Sequence, residues 1–190
     1  MSEIMTLIYT RYATNADLSN IMVIINEAKD FLKQSGSSQW QGTYPNEDTI
    51  LTDIKNKSAV VLMVDDKVAG YAASVVGIEP TYQKINGEWK NTNDDYATFH
   101  RLAISSKYRG MHLANFMFSD LISIMVNQEI KNFRIDTSRK NQIMQHLALK
   151  NNFIERGIIM VDEDPEDPSR LAYELHLSFD MFVQNYYSNN

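Results

Sequence analysis

The sequence predicts an α/β domain: one mixed β-sheet of about seven strands flanked by helices on both faces. Three observations carry this. Runs with the two-residue alternation of strands are interleaved with runs of helical period. A strand at 96–104, a helix at 113–128 and a strand at 133–137 follow one another, which makes two parallel strands joined by a crossover, right-handed by general rule. Two further strands close the chain as a hairpin around an acidic turn. With 190 residues, one domain is expected over 1–178, followed by a C-terminal tail at 179–190.

Taken in order, 6–12 reads as the first strand. Thr14-x-x-Asp17 resembles a capping box, after which Leu18, Ile21, Met22, Ile25, Phe31 and Leu32 fall at helical spacing until Ser35-Gly36. A loop with Trp40, Tyr44 and Pro45 leads to a second helix at 47–56. Strands at 59–64 and 68–76 form a hairpin around Asp65-Asp66-Lys67, and Asn86-Gly87 predicts another tight turn. The strand at 96–104 precedes the helix at 113–128. A strand at 133–137, a helix at 140–150 and strands at 154–161 and 171–177 complete the order.

Composition narrows the function classes. The hydrophobic share of 44% and charged share of 22% are those of a soluble globular protein. There is no cysteine, so disulfides, thiolate nucleophiles and cysteine-ligated metals are excluded. A net charge of -6 argues against nucleic acid and is compatible with a cationic small molecule. The start Met1-Ser2-Glu3-Ile4 has no signal-peptide pattern and no apolar run reaches membrane-spanning length, which predicts a cytoplasmic protein without membrane attachment. The four histidines lack metal-ligand spacing. Asp162-Glu163-Asp164-Pro165-Glu166-Asp167 lacks the loop length and turn glycine of a calcium loop, so a solvated turn and no metal are expected. Neither a Walker loop, a Rossmann fingerprint nor a Gly-x-Ser-x-Gly elbow occurs.

The segment 102–114 carries the chemistry. An apolar strand ends, a basic turn with Lys107 and Arg109 follows, and a long helix opens at once. Unpaired N–H groups and the helix dipole make such a start an anion site, so a phosphate-bearing ligand is expected. Arg109-x-x-His112-x-Ala114 resembles the Arg/Gln-x-x-Gly-x-Gly/Ala signature of the GNAT superfamily of acyl-CoA-dependent N-acetyltransferases. The order of elements is similar over nearly the whole chain. Arg134-x-Asp136-Thr137, Asn141 and Asn152-Phe153 resemble the family's following strand, helix and Gly-Phe. Trp40 with Tyr44-Pro45, His100-Arg101 and Asp136-Thr137 then Asn141 look like small stand-alone bacterial members. His112 and Asn152 stand where the family has glycine, and Ala148 where many members place a tyrosine as general acid. A side chain at 112 either crowds the diphosphate or contacts it.

The resemblance implies acetyl-CoA as co-substrate. Its pantetheine arm would run along Leu102, Ala103 and Ile104. The diphosphate would rest on the turn of Lys107, Arg109, Gly110, Met111, His112, Leu113 and Ala114, with Asn141 close by. Asn141 also suits the first turn of a helix on its own account. The implied reaction is acetyl transfer to a primary amine of a small molecule such as a polyamine, amino sugar or amino acid.

An aliphatic amine with a pKa near about 10.4 must lose a proton to attack. His100, on one strand face with Thr98, Leu102 and Ile104 by alternation, is the candidate base, and a histidine bonded within the sheet is the alternative. Tyr173 or a water is the candidate acid. A backbone N–H of 102–104 would meet the oxyanion. With no cysteine for a covalent intermediate, direct attack in a ternary complex is expected. Trp40, Tyr44 and Trp89, with Tyr82, are candidate substrate contacts, or aromatics that pin loops to the core. Glu79, Glu88, Asp94 and Asp95 either attract a cationic amine or form a solvated face.

Two rival readings remain. One is a non-catalytic acyl-CoA-binding module, suggested by His112 and Ala148. The other is a protein-interaction domain using Phe179-Asp180-Met181-Phe182 and Tyr186-Tyr187. A homodimer through the C-terminal strands is compatible with either.

Overall fold

Strand β1 (Ile8–Tyr12) opens the computed structural model, which describes residues 6–178. Helices α1 (Leu18–Gln34) and α2 (Glu47–Lys55) follow, then β2 (Ala59–Val64), β3 (Lys67–Val76), β4 (Asn86–Gly87) and β5 (Tyr96–Ile104). The second half comprises α3 (Leu113–Val126), β6 (Asn132–Thr137), α4 (Gln142–Lys150), β7 (Ile154–Met160) and β8 (Ser169–His176). The eight strands form one mixed sheet in the order β1-β2-β3-β5-β6-β8-β7-β4, with β5 and β6 parallel and the other pairs antiparallel. The expected tail at 179–190, with its Phe and Tyr pairs, lies outside the described residues. Among those that are described, no helix is long and apolar enough to cross a membrane.

Period-two alternation sorts the core. In β2, Val60, Leu62 and Val64 join α3 and α4 on one face. Ala59, Val61 and Met63 join α1 and α2 on the other. None of the six is more than 7% exposed, and burial of each Val, Leu or Met contributes roughly 1.5–3 kcal/mol. Thr14 and Asp17 form the expected capping box, Asp17 accepting from the Thr14 N–H at 2.8 Å. The box opens a 3₁₀ turn that runs into α1. Asn152 takes the family glycine's place at φ 63, and the Asn152 and Phe153 amides close α4 on Leu149 and Ala148 in a Schellman arrangement. Asparagine tolerates that left-handed conformation better than most residues.

The structure corrects the reading of Asn86-Gly87. They form the eighth strand, β4, paired with β7, not a hairpin turn. Gly87 lies opposite Gly157, and a Cβ on either would come within 2.2 Å of a backbone oxygen, so only glycines allow the approach.

Two irregularities create the site. First, β5 and β6 pair only through Tyr96–Thr98 with Asn132–Arg134, and beyond that the strands part. Second, β5 carries a bulge: Ala103 faces Tyr71 and His100 faces Ala73, one residue more on β5 than on β3, with Arg101 at φ 57. The bulge re-phases the side chains. Phe99, Leu102 and Ile104 pack toward α3 and α4. Arg101 reaches Asp53 of α2, and His100 pairs with Ala73 of the α1–α2 cluster. Simple alternation put His100 on the face of Leu102 and Ile104, and the extra residue moves it to the opposite one.

Candidate active site

Where β5 and β6 part, two cavities adjoin. An apolar groove of about 440 Å³ runs between the end of β5, the start of α3 and α4. A polar cavity of about 360 Å³ lies beside it, over His100 and the end of β6. Trp40, Leu102, Asn141 and Met144 line both.

The groove ends at the start of α3. The backbone N–H groups of Gly110, His112, Leu113 and Ala114 donate to no acceptor among the described residues. Four free amides at the start of a 14-residue helix make an anion cradle. His112 is the N-cap at φ 57 and ψ 18, the left-handed conformation that glycine would adopt freely. Its side chain is exposed and makes no cap bond, so the backbone is formed despite the substitution. Arg109 lays its guanidinium 4.7 Å from the Phe31 ring centroid at the groove edge. Burial pushes the Glu27 carboxyl up, but the Ser106 N–H at 2.7 Å and neighbouring hydroxyls hold it below its ordinary range. Of the residues expected to hold the coenzyme, Leu102, Ala103, Ile104, Arg109, Gly110, His112, Leu113, Ala114 and Asn141 line the groove, and Lys107 and Met111 do not.

The polar cavity gathers titratable groups. His100 Nε2 lies 3.4 Å from Glu79 Oε2. The other Glu79 oxygen accepts from the Thr81 amide and hydroxyl. His100 is the main cause holding the Glu79 carboxyl below its usual range, against burial. Asp136 accepts from the Tyr82 hydroxyl at 2.7 Å. Burial pushes its pKa up, opposed by His100 and Tyr82. In the cavity wall, Arg101 binds both Asp53 oxygens at 3.0 and 2.7 Å and donates to the Tyr44 hydroxyl. Tyr71 donates to Asp53 as well. Tyr44 is thus oriented by a buried ion pair, and burial raises its pKa. Asn141 caps α4, accepting from the Met144 N–H, while lining both cavities.

Two expected site residues lie elsewhere. Trp89 is 7% exposed, donates to the Tyr82 carbonyl and carries the Arg134 guanidinium 4.2 Å from its ring centroid. It lines neither cavity, because Arg134 and the Tyr82–Tyr96 cluster enclose it. Tyr173 is 1% exposed in the α3–α4 core, where burial raises its pKa, and it too lines neither cavity. Trp40 and Tyr44 do line the polar cavity.

Glu79, Asp136 and Glu163 line the polar cavity; sequence reasoning offered Glu79 only as an attractor of a cationic amine, with a solvated face as the alternative, and gave Asp136 no chemical role. Pro80-Thr81 after Glu79 was the available signal, a cap-and-proline start for the short turn Pro80–Gln83. The carboxylate of Asp136, sharing one strand face with Arg134 opposite Phe133 and Ile135, was the other. The acidic turn is only partly solvated: Asp164 is 4% exposed, bound by Arg170 at 2.7 Å and by Ser38. No metal-binding group occurs among the described residues.

Comparison with known proteins agrees with this geometry. The profile of the Acetyltransferase (GNAT) family matches residues 25–153. A GNAT-family acetyltransferase from Streptococcus agalactiae is 37% identical, with a TM-score of 0.81 over 90% of this chain and 96% of that one. At lower identity the likeness is one of fold. The PaiA N-acetyltransferase of Thermoplasma acidophilum, solved with coenzyme A, is 15% identical with a TM-score of 0.65, over 90% of this chain and 99% of its own. YncA of Salmonella typhimurium, solved with acetyl-CoA, is 17% identical with a TM-score of 0.65, over 90% and 95%. No curated protein matches the chain. A helix-start anion cradle beside parted parallel strands, a family profile over more than half the chain and a 37%-identical relative make one conclusion: the chain belongs to the GNAT family of acetyltransferases.

Proposed function

We propose that the protein transfers an acetyl group from acetyl-CoA to a primary amine of a small molecule, by direct attack in a ternary complex. The observation that carries this reading is the junction of the two cavities. An apolar groove ending in four free amides suits a long thiol arm and its diphosphate. The polar cavity meeting it at Leu102 and Asn141 suits an amine. The donor brings a thioester carbonyl, and every other task falls to the chain.

Leu102 and Ile104 give the groove apolar walls, and the parted edge of β5 offers main-chain groups for the arm. His100 takes the amine proton as the C–N bond forms and the C–S bond breaks. A proton on Nε2 donated toward Glu79 leaves Nδ1 as the basic atom. Trp40 and Tyr44 wall the acceptor side. With Tyr173 in the core, the leaving thiolate departs without it, and a thiol with pKa of about 8.5 leaves tolerably at neutral pH.

The experiment is amine-dependent release of free thiol from acetyl-CoA, with both substrates varied. Intersecting initial-rate lines support direct transfer, and parallel lines contradict it. Coenzyme binding without turnover on any amine would favour a non-catalytic acyl-CoA module.

A further inference from the structure

The two cavities meet at Trp40, Leu102, Asn141 and Met144, which line both. A thiol arm in the groove and an amine in the polar cavity can react only at that junction. Attack needs the nitrogen within about 3–3.5 Å of the carbonyl carbon, so the acyl chain beyond that carbon has to fit there too. The apolar walls of the junction come from two different cores. Leu102 and Met144 pack on the α3–α4 side of the sheet, and Trp40 on the α1–α2 side.

Trp40 stands out by its backbone. Its φ is 67, in the left-handed region that a bulky residue rarely enters. Such a conformation persists where the surroundings over-determine it, and here the neighbouring residues are pinned. The Ser38 hydroxyl donates to Asp164 at 3.0 Å, and the Gln41 side-chain amide donates to the Lys29 carbonyl at 3.0 Å. The Asn141 side-chain amide donates to Gln39 Oε1 at 3.5 Å, tying the same loop to the start of α4. A strained aromatic, fixed from both sides at the meeting point of two cavities, is a wall that cannot swing aside.

Resting on the acetyl-transfer reading, we propose that Trp40 sets the length of the donor's acyl chain. Its indole, with Met144, closes the junction around a two-carbon acyl group. A longer chain either meets this wall or turns into the polar cavity. There it takes the place of the amine and strips water from Glu79, Asp136 and Glu163.

The test titrates acetyl-CoA, propionyl-CoA and butyryl-CoA into the full chain by calorimetry, which reads the donor site apart from turnover. Affinity is expected to fall at least about tenfold from acetyl-CoA to butyryl-CoA, the lower end of what a pocket wall gives per methylene. Trp40→Gly, which suits φ 67 and removes the indole, is expected to bring that ratio toward one. Equal affinities in the wild type, or a preference that survives Trp40→Gly, overturn the proposal. Should Trp40→Gly fail to fold, Met144→Ala trims the junction from the other core and is expected to relax the ratio. An unchanged ratio in that variant overturns the proposal. Acyl-length discrimination without transfer to any amine would sink the enzymatic reading and leave this inference standing. Amine-dependent thiol release at equal kcat/KM from all three donors would do the reverse.

Discussion

His100 Nε2 and Glu79 Oε2 lie 3.4 Å apart, joining the bulged strand β5 to the loop after β3 at the mouth of the polar cavity. The bulge at Arg101 makes this possible by turning His100 away from the face of Leu102. His100→Ala should lower kcat by roughly 10²–10⁴, the usual range for a general base, with little change in acetyl-CoA affinity. Glu79→Gln should lower kcat by a smaller factor. Unchanged turnover in His100→Ala would remove it from the base role.

Arg101 and Asp53 form a bidentate pair, each side chain 8% exposed, with Tyr44 and Tyr71 completing the shell. Asp53→Ala leaves a guanidinium buried without its counter-charge and should destabilise by about 3–5 kcal/mol. Urea denaturation reads this directly. A loss below about 1 kcal/mol would mean that water or Tyr44 replaces the carboxylate.

His112 occupies a left-handed conformation that costs a side-chain-bearing residue roughly 1–2 kcal/mol, partly offset by the ~0.5–1 kcal/mol that glycine loses through its freer unfolded chain. His112→Gly should therefore stabilise by up to about 1 kcal/mol. Because backbone amides form the cradle, acetyl-CoA affinity should not fall. A clear loss of affinity would show that the imidazole itself contacts the ligand.

Asp17 should dominate one part of the acid limb. Hydrogen bonds from Arg11 lower its pKa from 3.8 to about 2, against burial and with help from Thr14. The folded value lies below the unfolded one, so its contribution is complete above pH 3.8 and is lost as pH falls toward about 2. Asp17→Asn should flatten the pH dependence of unfolding free energy in that window. An unchanged slope would place the acid sensitivity elsewhere.

The element order was legible because alternation, caps and turn residues act locally. Strand β2 is a run of six apolar residues whose side chains alternate between the two cores, and Asp65-Asp66 join it to β3, which begins one residue earlier than expected, at Lys67. The bulge was not legible. No glycine marks it, and Arg101 holds φ 57 where Asp53, 48 residues earlier, captures its guanidinium. The fate of Asn86-Gly87 was likewise set at a distance, by Gly157 on β7. The strand-to-helix turn of Arg109 to Ala114, with its free amides, was legible because helix starts expose their first N–H groups whatever the side chains. The polar cavity was only half visible. Trp89 and Tyr173 offered suitable chemistry, but packing by Arg134 and the α3–α4 core decided where they lie. Glu79 and Asp136 became site residues through contacts with His100 and Tyr82, 21 and 54 positions away.

Calorimetric titration of the purified protein with acetyl-CoA, with dephospho-CoA and ATP as controls and Arg109→Glu as the variant, tests the central claim most directly. The account predicts one site per chain that prefers acetyl-CoA to both controls and is weakened by Arg109→Glu. Absence of acetyl-CoA binding, or equal binding of ATP, would contradict the assignment of the groove and its four amides.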